Sequence, residues 1–352
     1  MQLKDLLNLM VEKKASDLHI TVGLSPQLRI DGRLVVLDGY PPLTPQDTKE
    51  LVYKTLTEQQ REVFEKKKEL DASIGVKDLG RFRINVYRQR GSIGMAVRLI
   101  PFKIPGLDEL GLPKVVKSFA DKTSGLVLIT GATGSGKSTT LASMIEYINS
   151  KRSCHIISIE DPIEYLHRHK KSTINQRELG VDTGSFQEAI KHVFRQDPNI
   201  VLIGELRDLE TIRGALTLAE TGHLIFGTLH TIDAVHAINR ITDVFPPYQQ
   251  QQVRMQLSMV LVGIIVQQLI PRKDAKGRVV AIEIMNMVPA IQNLIRENNL
   301  HQIYSLIQMG KKYDMCTMNQ SFADLYNKGI ITWEEAFSRS TNPQELISLA
   351  KR

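Results

Sequence analysis

Nine consecutive residues, Gly131-Ala132-Thr133-Gly134-Ser135-Gly136-Lys137-Ser138-Thr139, follow the pattern G-x-x-x-x-G-K-[ST] between an apolar run and a helical one. Each residue type has a physical reason. Glycines let the backbone curl until several N–H groups point at one phosphate chain. The following helix, Lys137–Ile148, adds the partial positive charge of its N-terminus. Lys137 is expected to reach the β- and γ-phosphates, and Ser138 to offer its hydroxyl to Mg²⁺. Gly131, Thr133, Gly134, Ser135, Gly136, Lys137, Ser138 and Thr139 are thus candidate nucleotide-binding residues, with ATP and Mg²⁺ as the ligands. The rival reading is a glycine-rich turn without a ligand, which the strand-loop-helix context disfavours.

Phosphoryl transfer to water also needs carboxylates, one to orient or deprotonate the water and one to hold Mg²⁺ through its waters. Three further apolar runs end in polar clusters. Ile156–Ile159 leads into Glu160-Asp161-Pro162-Ile163-Glu164, Ile200–Ile203 into Gly204-Glu205-Leu206-Arg207-Asp208, and Leu224–Thr228 into Leu229-His230-Thr231. Ligands of open α/β sheets gather at the carboxyl ends of strands. Glu205 fits the Walker B position as a Mg²⁺ partner through water, with Gly204 permitting close approach. Glu164 is the preferred water-activating carboxylate, and His230 is suited to sense the γ-phosphate. Blander readings compete: Asp161 caps a helix starting at Pro162, and Glu160 merely bonds a backbone N–H. His223, His230 and His236 lack zinc spacing and have no cysteine nearby, so a transition-metal site is not expected.

The elements that must hold these residues fall into two patterns. Residues 1–100 read as an α+β domain. Leu3–Lys13 has helical spacing, Leu18–Thr21, Gln27–Ile30 and Leu34–Leu37 look like strands, and Asp31-Gly32 is a hairpin signal. Pro45–Leu56 reads as a helix capped by Thr44, while Arg81–Tyr87 and Gly94–Leu99 alternate like paired strands. Pro101, Pro105, Gly106, Gly111 and Pro113 then mark residues 101–113 as an interdomain linker. Residues 114–352 form the second domain. Its apolar runs are continuous, as in parallel strands buried on both faces, so its class is α/β. After Thr231 the sequence reads as mostly helical to the end.

Composition narrows the function classes. Of 352 residues, 42% are hydrophobic and 24% charged, the profile of a soluble globular protein. The longest nearly continuous apolar run, Met259–Val266, is far short of the roughly 20 residues a membrane span needs. Residues 1–9 carry Lys4 and Asp5 and do not read as a signal peptide. Two distant cysteines, Cys154 and Cys316, argue against a disulfide framework and a four-cysteine zinc site. A cytoplasmic location is the simplest reading. The formal charge of +7 comes from basic residues spread along the chain, with short clusters at Lys66–Lys68 and His167–Lys171. No aromatic-basic interleaving suits a single-stranded nucleic acid, so no stable nucleic-acid partner is expected.

Taken together these motifs resemble the secretion ATPase superfamily of type II and type IV pilus machines, and within it the twitching-motility retraction ATPases. The resemblance covers nearly the whole chain. Ala15-Ser16-Asp17-Leu18-His19 looks like the N-domain motif, Glu160–Glu164 like the Asp box, Gly204–Asp208 like Walker B, and Thr221-Gly222-His223 with Thr228–Thr231 like the His box. Ala290-Ile291-Gln292-Asn293-Leu294-Ile295-Arg296-Glu297 resembles the retraction ATPases' C-terminal helix motif, with Gln292 where the family usually shows arginine. Ile291, Leu294 and Ile295 would share one face of that helix.

The resemblance implies a PAS-like N-terminal domain, a RecA-like P-loop ATPase domain and a homohexameric ring acting on an inner-membrane platform protein to retract pili. It implies that Arg81, Arg83 and Arg98 act on nucleotide; guanidinium groups suit this because they stay charged and grip phosphate in a fork. The bland alternative pairs these arginines with surface acids on a solvated strand face. Arg207 and His223, inside their motifs, become candidate nucleotide-sensing residues. Rival functions are a pilus-assembly or type II secretion ATPase, a retraction accessory paralogue, a nucleic-acid-binding RecA-like protein, and a ring that binds ATP but barely hydrolyses it.

Overall fold

The computed structural model describes residues 2–30, 32–76, 79–100, 103–274 and 277–350. Asp31 of the hairpin signal and Pro101 of the expected linker lie outside them. The chain divides into two compact units, Met1–Lys103 with Glu164–Leu166, and Ile104–Ile163 with His167–Arg352.

In the first unit the order is α1 Leu3–Glu12, β1 Asp17–Ile20, β2 Gln27–Ile30, β3 Arg33–Val36, α2 Pro45–Thr55, α3 Glu58–Lys67, β4 Glu69–Val76, β5 Gly80–Gln89 and β6 Ser92–Ile100. Among the described residues these strands make one antiparallel sheet in the order β3-β2-β1-β6-β5-β4. Thr44 caps α2 as expected, in a reciprocal pair with Asp47. Along β5, Phe82, Ile84 and Val86 are buried and face the core. The intervening Arg81, Arg83 and Asn85 occupy the other face. The helix α3 had no periodic signal because it buries little besides Phe64.

The second unit runs α4 Lys114–Ala120, β7 Gly125–Thr130, α5 Lys137–Lys151, β8 His155–Glu160, β9 Thr173–Glu178, α6 Phe186–Val193, β10 Ile200–Ile203, α7 Leu209–Glu220, β11 Leu224–Leu229, α8 Ala234–Asp243, α9 Pro247–Val260, β12 Leu261–Pro271, β13 Arg278–Asn286, α10 Pro289–Arg296, α11 Ile303–Met309, α12 Met318–Asn327, α13 Trp333–Arg339 and α14 Pro343–Leu349. Its sheet has the order β13-β12-β7-β11-β10-β8-β9, parallel except for β13. All residues of β7, β10 and β11 are buried, so continuous apolar runs are what this sheet requires. From Ile104 onward the expected linker segment groups with this unit, and Leu107 packs in one core cluster with Val115, Val116 and Phe119.

Two sequence expectations are corrected. The region after Thr231 is not mostly helical: β12 and β13 form a long antiparallel pair at the sheet edge. The run Leu261–Val266 follows α9 directly, and a buried apolar stretch has no period that separates strand from helix. No helix begins at Pro162, so Asp161 caps nothing there; residues 161–172 form neither helix nor strand. Among the described residues, no helix is long and apolar enough to cross a membrane.

Candidate functional site

The strand β7 delivers its chain to the phosphate-loop sequence, and α5 carries it away. Between them Gly131, Gly134 and Gly136 take φ values of +141°, +79° and +93°, a region that excludes most L side chains. At Gly131 the demand is also steric: an added Cβ would lie 2.4 Å from the Gln267 carbonyl oxygen and 2.7 Å from Ser135 Oγ. We expect Gly131→Ala to store about 1–3 kcal/mol of strain in the loop and to weaken ATP binding ~10–100-fold, as measured by fluorescent-nucleotide titration. Unchanged affinity would contradict the loop's role.

Lys137, the first residue of α5, is 8% exposed, and its Nζ donates to the carbonyls of Gly131 at 2.7 Å and Ala132 at 3.1 Å. The amine is thereby held inside the curl of the loop. Ser135 Oγ is buried there without a hydrogen-bond partner among the described residues. A bent loop of backbone donors, a lysine inside it and Ser138 in the first turn of a 15-residue helix fit a Mg²⁺-bound polyphosphate.

Because β7, β8, β10 and β11 are parallel and in register, their carboxyl ends lie along one edge with the loop. Glu205 follows β10. Its Oε1 accepts from Arg207 Nε at 2.6 Å and lies 3.6 Å from His230 Nε2, beyond the end of β11. This pairing raises the Arg207 pKa, first through the hydrogen bond and then through the Glu205 charge. Burial lowers the His230 pKa, and the nearby Lys137 charge lowers it further, so the imidazole is mainly neutral at pH 7. Lysine, glutamate, arginine and histidine therefore converge at one strand edge. Glu160 belongs to this edge too, its Oε1 accepting from Ser158 Oγ at 2.6 Å and Gln176 Nε2 at 3.0 Å. Gly204 permits a close approach of two strand ends: a Cβ there would sit 3.3 Å from Glu160 Cα.

The type II/IV secretion system protein family matches residues 2–338. The chain belongs to that family. Among its relatives is the type IV pilus retraction ATPase PilT of Pseudomonas aeruginosa, 46% identical over 344 residues, 98% of this chain and 99% of the relative. The type IV pilus ATPase PilU of the same organism is 42% identical over 351 residues, 100% of this chain and 92% of PilU. A crystal structure of the pilus retraction motor PilT with bound ADP superposes with a TM-score of 0.93 at 49% identity, covering 99% of both chains. The two-domain architecture, an N-terminal domain and a RecA-like ATPase domain, is that of this secretion family.

Of the remaining candidates, four belong to the first unit and one to the second. Arg81, Arg83 and Arg98 lie on the polar face of the first unit's sheet. Arg81 donates to Ser73 Oγ, Arg83 lies 3.8 Å from Asp71, and Arg98 Nε donates to Asp17 at 2.8 Å. Burial pushes the Asp17 carboxyl up, yet the bonds from Ser16 and Arg98 hold it below its ordinary value. Glu164 is exposed and groups with that unit. His223 precedes β11, at the edge opposite the phosphate loop, about 20 Å from it for a six-residue strand. Its Nδ1 lies 3.0 Å from both Thr221 Oγ1 and the Leu218 carbonyl. Within its own chain it does not face the loop that ends β7.

Sequence reasoning missed residues that brace the loop. Thr130 Oγ1 accepts from the backbone N–H of Thr231 at 2.8 Å, tying the end of β7 to the turn after β11. Gln267, on β12, donates to Thr140 Oγ1 at 2.9 Å and abuts Gly131 through its carbonyl. Thr130 could have been found as the last strand residue before the loop; nothing in the sequence marked Gln267.

Proposed function

We propose that this chain is the ATP-hydrolysing motor subunit of type IV pilus retraction, working as a homohexamer on an inner-membrane platform protein at the cytoplasmic face. The observation that carries the reading is the convergence of Lys137, Glu205 and His230 on one strand edge, in a chain related along its whole length to PilT.

In this reading the loop amides and Lys137 bind the β- and γ-phosphates. Ser138, and Glu205 through water, would hold Mg²⁺, which would neutralise charge developing on the phosphates. Glu164 orients the attacking water, His230 bonds the γ-phosphate, and Arg207 releases Glu205 as nucleotide enters. Arg81, Arg83 and Arg98 of the N-terminal domain, residues 1–100, add positive charge to the nucleotide; such an arginine is worth ~10³–10⁵ in rate. Those arginines already bond Ser73, Asp71 and Asp17, so nucleotide must compete with these contacts; the exposed Arg83–Asp71 pair is the weakest of them, whereas Arg98 holds the buried Asp17.

Deleting the gene is expected to leave cells covered in pili and unable to twitch. Bald cells would instead assign pilus assembly. A second reading, an accessory retraction paralogue, is prompted by Gln292 on α10, where the retraction ATPases usually show arginine. It predicts piliated cells that still twitch, with retraction weakened only under load.

A further inference from the structure

One buried carboxylate takes no part in the chemistry above. Glu283, on β13, is 2% exposed. Its Oε1 accepts from the N–H of Ala234 at 2.9 Å and its Oε2 from the N–H of Met318 at 3.4 Å. These are the first residues of α8 and α12. First-turn N–H groups have no partner within their own helix, and a helix N-terminus favours negative charge. A single side chain thus secures two helix starts.

Sheet register places Glu283 beside the phosphate loop. Leu229 pairs with Thr130, Thr130 with Val266, and Val266 with Glu283, a row across β11, β7, β12 and β13. The turn His230–Asp233 leaves that row at Leu229 and returns to it at Ala234. It is held near its start by Thr231 N–H on Thr130 Oγ1 and at its end by Ala234 N–H on Glu283. His230, 3.6 Å from Glu205, lies one residue before the first tether, directly after the last residue of β11.

We propose that Glu283 is a positioning residue for ATP hydrolysis: it anchors the His230–Asp233 turn from inside the sheet, keeping His230 beside Glu205, and joins that turn to the start of α12. The inference rests on the role given to His230 above. The anchor costs something, since burying a carboxylate is unfavourable unless it is well bonded. Burial lifts the Glu283 carboxyl to about 7, with Asp233 ahead of α8 and Glu345 on α14 pushing the same way against the pull of the two N–H groups. Tyr304 and Cys316, which also feel the Glu283 charge, stay uncharged near neutrality because burial raises both. The neutral form of Glu283 is therefore well populated at pH 7, and Glu283→Gln is expected to fold.

The test compares steady-state ATP turnover of the wild type, Glu283→Gln, His230→Ala and the double variant, with hydrogen exchange of the amides from Ile232 to Val235. Glu283→Gln is expected to lower kcat about tenfold, the worth of one lost bond, with KM for ATP little changed and Ala234 exchange about tenfold faster. The double variant is expected to be no slower than His230→Ala, since both act through one group. Losses that multiply, or exchange that does not change, would overturn the proposal. Wild-type turnover in His230→Ala beside a dead Lys137→Ala would remove the role of His230, and this inference with it, while leaving the ATPase reading in place.

Discussion

Lys137→Ala is expected to abolish measurable ATP turnover while leaving the fold intact. The side chain sits almost wholly inside the phosphate loop, its ammonium on two neutral carbonyls of that loop. Phosphate oxygens accept stronger, charge-assisted bonds than carbonyls do, so a bound triphosphate draws the ammonium away. Removing one such preorganised charge costs ~10²–10³ in kcat, and the ground-state contact to the phosphates is lost as well. The fold has little reason to fail, because the rest of α5 stays packed through Leu141, Met144, Ile145 and Ile148. Lys137→Arg is expected to rescue little: a planar guanidinium is a poor replacement for a compact ammonium in so enclosed a place. Phosphate release and a thermal melt decide it, and undiminished turnover in Lys137→Ala would defeat the assignment.

This prediction could be written from the sequence because everything it needs is contiguous. Gly131–Thr139 encodes its shape through glycines at positive φ and its chemistry through Lys137 and Ser138, with no distant residue required. The parallel strands were legible for a related reason: β7, β10 and β11 are buried on both faces and show it as unbroken apolar runs. Other elements carry no such mark. The edge strand β9 is polar, with Ile174 and Glu178 its buried residues. The run into β12 fits helix and strand equally well. The pairing of Arg98 with Asp17 spans 81 positions, and only the sheet brings the two together. Glu283 did leave a trace, a lone acid within Ala281-Ile282-Glu283-Ile284-Met285, but its two helix N-termini are 49 and 35 positions away.

Glu205→Gln separates binding from chemistry, because it changes charge and almost nothing else. Glutamine keeps the shape and an oxygen that accepts from Arg207, so the strand edge is expected to retain its geometry. What disappears is the negative charge that a Mg²⁺-bound water or an attacking water requires. Loss of a carboxylate acting on a water typically costs ~10²–10⁴ in rate. The phosphate loop is untouched, so affinity for ATP is expected to fall only a few-fold. The variant would then bind ATP and hold it, the opposite of Lys137→Ala. The Arg207 partner does not oppose this role: the arginine is largely exposed, and a solvent-exposed pair is weak enough to open when a divalent cation competes for the carboxylate. Arg207→Ala is accordingly expected to matter far less than Glu205→Gln. Equilibrium nucleotide binding measured beside single-turnover hydrolysis makes the distinction. Hydrolysis at the wild-type rate in Glu205→Gln would move the essential carboxylate to another strand end along the same edge, with Glu160 the nearest in register.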